Sequence, residues 1–215
     1  MAASPQSTAL RRAAAAGDLG DVQRLVDAGA DVNACDEHGA GALLTVHPDV
    51  VQYLLTRGAD PNVQKNESGA SVLAGLAYLK ARDCGRMLLE AGADPNRGRD
   101  ASLESPLHHA LAGTGTKHEV DVIRLLLDAG ADPNMRTRVG VESFNFWRDV
   151  RTRGETPLHR AAAYASLETI ELMLSRGADP VLRDDNGDSP LGWASWHRRP
   201  REIIEQLMSA AKDSG

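Results

Sequence analysis

The chain has 215 residues, of which 42% are hydrophobic and 25% are charged, and its formal net charge is −6 at pH 7. This composition is typical of an ordinary globular protein that can bury a substantial core. The negative charge argues against broad binding to nucleic acid or to anionic membranes, and no apolar run approaches the length of a transmembrane helix.

The first residues and the cysteines suggest where the protein works. The alanine-rich start "TALRRAAAAGDLG" is interrupted by Arg11, Arg12 and Asp18, which is not the pattern of a secretory signal peptide. The two cysteines, Cys35 and Cys84, match no metal-binding or redox spacing. We therefore expect reduced thiols and a cytoplasmic protein.

A Gly-Ala-Asp string recurs five times, each time after an apolar pattern with helical spacing such as "VIRLLLDAG". The glycines of these strings are Gly29, Gly58, Gly92, Gly130 and Gly177. Glycine adopts the left-handed conformation that ends many helices without a steric cost. The pattern therefore predicts five helix ends, each with a positive φ angle at the glycine.

A second motif predicts where helices begin. Its copies are "SPLHHAL" at 105–111, "TPLHRAA" at 156–162 and "SPLGWAS" at 189–195. In each copy a serine or threonine can cap the helix, and the proline that follows is tolerated in the first turn. The two motifs together predict a repeating unit of a short capped helix, a second amphipathic helix, a glycine stop and a polar turn.

This unit, with a period near 33 residues, resembles the ankyrin repeat. The resemblance covers roughly residues 7 to 210; residues 156–159 match the family's Thr-Pro-Leu-His motif fully, and residues 105–108 match it conservatively. It implies an all-α solenoid of about six helix-pair repeats, with hairpin loops on one side and a concave surface that usually binds another protein. The predicted repeats are 7–35, 36–64, 65–98, 99–134, 152–181 and 182–211.

The spacing between successive glycines is irregular, at 29, 34, 38 and 47 residues. The second repeat is short by four residues, which must be missing from "GALLTVHPDVV" and amount to about one helical turn. The fourth repeat has four extra residues near "AGTGTK". All 14 extra residues of the longest interval lie between Asn134 and Thr156, which predicts an insertion in a hairpin loop.

We call this insertion, residues 135–153, the arm. It carries five arginines against Glu142 and Asp149, a balance of +3 that leaves −9 for the rest of the chain. The stretch "VESFNFWRDV" would place Phe144 and Phe146 on one side if extended, so we expect a lengthened β-hairpin. Long loops of this kind are often functional.

The family pattern also predicts which residues face the concave surface. In the last two repeats these are Arg160, Ala163, Tyr164, Trp193, Trp196 and His197. Together with the arm they form the predicted partner-binding set, which is Phe144, Phe146, Trp147, Arg148, Arg160, Tyr164, Trp193 and Trp196. Tryptophan, tyrosine and arginine are enriched at binding hot spots. The alternative is that the arm folds over Trp193 and Trp196 as an intramolecular lid.

Other chemistry is poorly supported by the sequence. His108 and His159 belong to the helix-start motif, and the resemblance implies that they form local hydrogen bonds. His108, His109 and His118 lack a carboxylate cluster that would complete a metal site, and no nucleotide-binding or hydrolase motif occurs. We predict a monomeric, non-catalytic protein-binding module or scaffold without catalytic residues, metal or cofactor. The alternatives are a small-molecule binder or enzyme with the arm as a lid, and self-association through the arm.

Overall fold

The computed structural model describes residues 5–35, 40–63, 70–98, 101–112, 119–143 and 151–214. These residues form eleven α-helices, which confirms the all-α prediction. In chain order the helices are α1 Pro5–Ala16, α2 Leu19–Asp27, α3 Pro48–Thr56, α4 Val72–Tyr78, α5 Arg82–Glu90, α6 Pro106–Ala110, α7 Glu119–Asp128, α8 Pro157–Tyr164, α9 Leu167–Ser175, α10 Pro190–Trp196 and α11 Arg201–Asp213. None of the helices in these ranges is long and apolar enough to cross a membrane.

The helices form two layers that share one hydrophobic core. The inner layer consists of α1, α4, α6, α8 and α10, and the outer layer consists of α2, α3, α5, α7, α9 and α11. Leu107 and Leu158 of the helix-start motifs are fully buried, as are Ile123 and Ile170 of the outer helices. Burial of each such side chain contributes about 1.5 to 3 kcal/mol to folding.

The predicted glycine stops are confirmed. The φ angle is 89° at Gly130 and 84° at Gly177, and the other three glycines of the motif are also positive. A Cβ atom at Gly130 or Gly177 would meet nothing within 4 Å. Glycine is therefore required there by the backbone conformation and not by crowding.

The predicted helix starts are also confirmed, and the motif histidines explain them. The backbone N–H of Thr156 donates to His159 Nδ1 at 3.1 Å, while His159 Nε2 donates to the carbonyl of Asp188 at 3.0 Å. Burial lowers the pKa of His159, so the ring is neutral and holds this tautomer. Ser105 and His108 repeat the same bond at the start of α6. Both histidines have the local structural role that the resemblance implied.

Asparagine side chains join successive hairpin loops. Asn134 Nδ2 donates to the carbonyl of Gly177 at 2.8 Å, and Asn134 Oδ1 accepts from the backbone N–H of Asp179 at 2.8 Å. Asn33, Asn62 and Asn96 make the same pair of bonds to the next loop. The asparagine that follows each of the first four Gly-Ala-Asp strings therefore links its repeat to the next one.

The second repeat departs from the prediction. Each repeat was predicted to be a helix pair, with about one helical turn missing from "GALLTVHPDVV" in this one, but residues 42–47 form turns and bends, and α3 is the only helix within residues 40–63 of this repeat. Thr45 Oγ1 donates to the carbonyl of Ala14 at 2.7 Å and so caps the end of α1. Leu44 lies against Gly75 of α4, where an added Cβ would be 2.5 Å from Leu44 Cδ1.

Candidate partner-binding surface

The base of the arm is an antiparallel hairpin. Glu142 and Arg151 form a bridge, Gly140 N–H donates to the carbonyl of Thr152 at 2.7 Å, and Thr152 N–H donates to the carbonyl of Val141 at 2.9 Å. This pairing agrees with the predicted β-hairpin at its base. The predicted binding residues Phe144, Phe146, Trp147 and Arg148 lie outside the described residues.

The base of the arm is fixed to both neighbouring repeats. Arg138 N–H donates to the carbonyl of Ser102 at 2.7 Å, and Thr137 N–H donates to the carbonyl of Glu155 at 3.1 Å. Side chains add to this attachment, because Ser143 Oγ donates to Glu104 Oε1 at 2.7 Å. The two ends of the insertion are therefore held between the fourth and fifth repeats.

Arg160 is buried, with 1% of its surface exposed, so the prediction that it contacts a partner is wrong. Its Nη2 donates to Glu104 Oε1 at 2.8 Å and to Glu155 Oε1 at 2.5 Å, and its Nε donates to the same Glu155 oxygen at 3.1 Å. Both glutamates are also buried. We call these three residues the buried ion cluster. The Arg160 guanidinium therefore links Glu104 of repeat four to Glu155 of repeat five.

The positive charge of Arg160 explains why two carboxylates are ionised inside the protein. Burial alone would raise the pKa of Glu104 and of Glu155, but the Arg160 guanidinium overcomes this and lowers each pKa to about 2. Burial, reinforced by the same guanidinium, lowers the pKa of the adjacent His108 to about 3. Both carboxylates are therefore ionised at neutral pH, while the His108 ring is neutral.

Trp193 is also buried, with 5% of its surface exposed, so its predicted exposure on the concave face is wrong. Its indole N–H donates to Asp184 Oδ2 at 3.0 Å. Its ring packs edge-on against His159, with 5.6 Å between ring centroids. Trp193 thus belongs to the packing between α8 and α10.

Trp196 differs from Trp193, because 78% of its surface is exposed. It lies at the end of α10, beside the end of α8, where Tyr164 is half-buried. Tyr164 packs edge-on against His197, with ring centroids 4.7 Å apart. We call Tyr164, Trp196 and His197 the C-terminal aromatic patch. The lid alternative would place the tip of the arm over Trp196, and that tip, residues 144–150, lies outside the described residues.

The patch is held in place by the turn that follows it. Arg199 Nη1 donates to the carbonyl of Ala163 at 3.0 Å, and its Nη2 donates to the carbonyl of Ala165, which caps the end of α8. Arg198 has a φ angle of 51° and an exposed side chain. The patch is therefore a fixed aromatic surface beside an exposed cation.

Comparison with known proteins identifies the family. The sequence profile described as Ankyrin repeats (3 copies) matches residues 38–137 and 141–214, and the profile described as Ankyrin repeat matches residues 6–37. The chain belongs to the ankyrin repeat family.

Known proteins similar to this ankyrin-repeat chain include several much longer ones. It is 32% identical to human mitochondrial disaggregase over 213 residues, which is 96% of this chain and 26% of that protein. It is 32% identical to human ankyrin repeat and SOCS box protein 16, over 78% of this chain and 42% of that protein. Human B-cell lymphoma 3 protein is 29% identical, over 88% of this chain and 38% of that protein. The chain thus spans less than half the length of these relatives.

The buried ion cluster shows where the sequence reasoning was incomplete. Glu104 and Glu155 were not singled out, although each immediately precedes a helix-start motif, in "ESPLHH" and "ETPLHR". In this ankyrin repeat the position after the motif histidine, Arg160, was expected at the concave surface. The sequence did contain a signal: a glutamate stands directly before "SPLHH" and before "TPLHR", and these two glutamates are the buried partners of Arg160.

Proposed function

We propose that this ankyrin-repeat chain binds another protein, without catalysis, through the concave face of its C-terminal repeats. The observation that carries the proposal is the exposure of Trp196, the most exposed large hydrophobic side chain among the described residues. An exposed tryptophan on a rigid helix end can bury about 150 to 250 Å² against a partner, and such side chains dominate binding energy. Tyr164 and His197 extend the same surface.

The arm is proposed to contact the same partner. Its base is held between repeats four and five, and repeat five also carries Tyr164 of the C-terminal aromatic patch. Phe144, Phe146, Trp147 and Arg148 enter this proposal on the sequence alone. The arm's balance of +3 favours a partner with acidic groups.

The buried ion cluster argues against the alternative of an anion-binding enzyme or small-molecule site below the arm. Such a site requires an arginine that is free to hold the ligand. Arg160 is instead bound by two buried carboxylates. Arg160 is therefore not available to an anionic ligand, whereas 78% of Trp196 is exposed to a macromolecule.

The proposed cellular compartment rests on the redox state of the two cysteines. Neither Cys35 nor Cys84 is part of a disulfide bond, and Cys84 is buried. Reduced thiols suit the cytoplasm, and we propose a cytoplasmic monomer. One relative is named as mitochondrial, so fractionation of source cells is the direct measurement of the compartment.

The test is quantitative affinity capture from source-cell lysate, followed by titration of the captured partner. Trp196→Ala should weaken binding by about 30-fold, which corresponds to about 2 kcal/mol. In a second variant a short Gly/Ser link replaces residues 144–150 and retains the base pairing and Ser143. Arg12→Ala, an exposed change at the far end of the chain, is the matched control. Native affinity in both test variants would refute the proposal.

A further inference from the structure

The inner layer has no helix within residues 40–63 of the second repeat. At the end of this layer, where the inner helices turn into the outer ones, a cavity of about 620 Å³ is lined by residues of the second, third and fourth repeats. Val46 and Pro48 form one wall, Leu79 forms another, and Asp83 and Asp121 lie at its edge. We call this cavity the second-repeat notch.

The walls of the notch expose apolar side chains. Leu79 is 50% exposed, a fraction exceeded only by Trp196 among the large hydrophobic residues of the described ranges, and Val46 is 48% exposed. Exposed apolar clusters of this kind mark interaction sites. The volume is large enough for one or more side chains of a bound segment.

The backbone holds Leu79 in its exposed position. Lys80, the next residue, has a φ angle of 57°, which is uncommon for a residue with a side chain. Its ammonium group donates to the carbonyls of Ala110 and Ala112 at the end of α6. Lys80 therefore points into the protein, and Leu79 points outward.

The free charge at the edge of the notch is acidic. Arg82 Nη1 lies 3.8 Å from Asp83 Oδ1, so these two charges offset each other. The ammonium group of Lys80 is directed inward. Asp121 is exposed and makes no ion pair with a described residue. A ligand with a positive charge beside its apolar group would complement this edge.

We propose that the second-repeat notch binds a segment of a partner protein in which a large apolar side chain stands next to lysine or arginine. The apolar side chain occupies the notch between Val46 and Leu79, and the cation pairs with Asp121. This site is separate from the C-terminal aromatic patch. The notch favours a basic segment, whereas the basic arm favours a partner with acidic groups.

A random library of 12-residue peptides, displayed on phage, can be selected on the immobilised chain with soluble Leu79→Ser protein in excess as competitor. The enriched peptides should combine a large apolar residue with at least two lysines or arginines. Acidic enriched peptides, or no enrichment above background, would overturn the proposal.

The best enriched peptide is then synthesised and titrated by fluorescence anisotropy. Leu79→Ser should weaken its binding by at least about 10-fold and Asp121→Asn by about 3-fold, with the second effect lost in high salt. Trp196→Ala should leave the affinity unchanged, which separates this site from the proposed function. Leu79 and Asp121 are both exposed, and circular dichroism verifies that each variant is folded. Equal affinity in wild type and Leu79→Ser would overturn the proposal.

Discussion

Replacement of Arg160 by methionine should strongly destabilise the C-terminal repeats. Methionine keeps the apolar stem but removes the guanidinium, which lies 2.8 Å from Glu104 Oε1 and 2.5 Å from Glu155 Oε1. All three side chains are less than 5% exposed, so two carboxylates would remain buried without a cation. Removal of one partner from a buried ion pair costs about 3 to 5 kcal/mol.

Urea unfolding followed by circular dichroism at pH 7 measures this loss. In thermal unfolding it corresponds to a decrease of about 6 to 20 °C for a protein of this size. The matched control is Arg24→Met, because Arg24 pairs with Asp21 at 3.0 Å on the surface. That pair should be worth at most about 1 kcal/mol. Adding Glu104→Gln and Glu155→Gln to Arg160→Met should restore part of the lost stability.

The pH dependence gives this prediction a distinctive sign. In the wild type both glutamate pKa values are lowered from 4.5 to about 2, so the stability from this cluster is present above about pH 4.5 and is lost as the pH falls toward 2. In Arg160→Met, burial without the cation should raise both pKa values, and stability should fall as the pH rises through them. A loss below about 1 kcal/mol, or a pH slope like that of the wild type, would refute the buried ion cluster as described.

Three further predictions concern local structure and are measured by the same urea titration. Gly130→Val should cost about 1 to 2 kcal/mol because φ is 89° there, and native stability would show that the helix ends differently. Asn96→Ala removes two hydrogen bonds, one of 3.2 Å to the carbonyl of Gly130 and one of 2.7 Å from the N–H of Asp132. It should lower the free energy of unfolding by about 1 to 2 kcal/mol, and unchanged stability would contradict the asparagine links. Thr156→Ala should cost about 1 kcal/mol and leave partner affinity unchanged; an affinity loss without destabilisation would contradict its structural role.

The repeat architecture could be predicted because its signals are local. A glycine with positive φ at a helix end and a proline in the first helical turn follow from the conformational limits of single residues. Gly177 and Thr156 therefore have the predicted structures. The two links made by each asparagine at the loops were not predicted, because they join residues 25 to 45 positions apart.

The shortened second repeat could be located from the sequence but not described. Counting residues placed the deletion of about one helical turn in "GALLTVHPDVV" but did not show which structure the remaining residues adopt. Residues 42–47 form turns and bends instead of a helix. Leu44 and Thr45 then use the space to contact α4 and α1.

Side-chain exposure at the candidate site was the least predictable feature. Trp193 and Trp196 lie three positions apart, a spacing that predicts one shared helical face. Burial depends on what packs against each residue. Asp184, in the loop before α10, accepts a hydrogen bond from the Trp193 indole N–H, whereas Trp196 is 78% exposed. Arg160 is buried for the same kind of reason, because Glu104, 56 positions away, reaches it.

Site-specific photo-crosslinking tests the proposed binding surface most directly. A benzoylphenylalanine replaces Trp196 in one protein and Met208 of α11 in a matched control, since Met208 is also exposed, at 43%, but lies on an outer helix. After irradiation in source-cell lysate, the probe at position 196 should form a discrete adduct with one protein, and excess wild-type chain should suppress it. The control should form none. Equal adducts at both positions, or an adduct at 208 alone, would contradict binding through the C-terminal concave face.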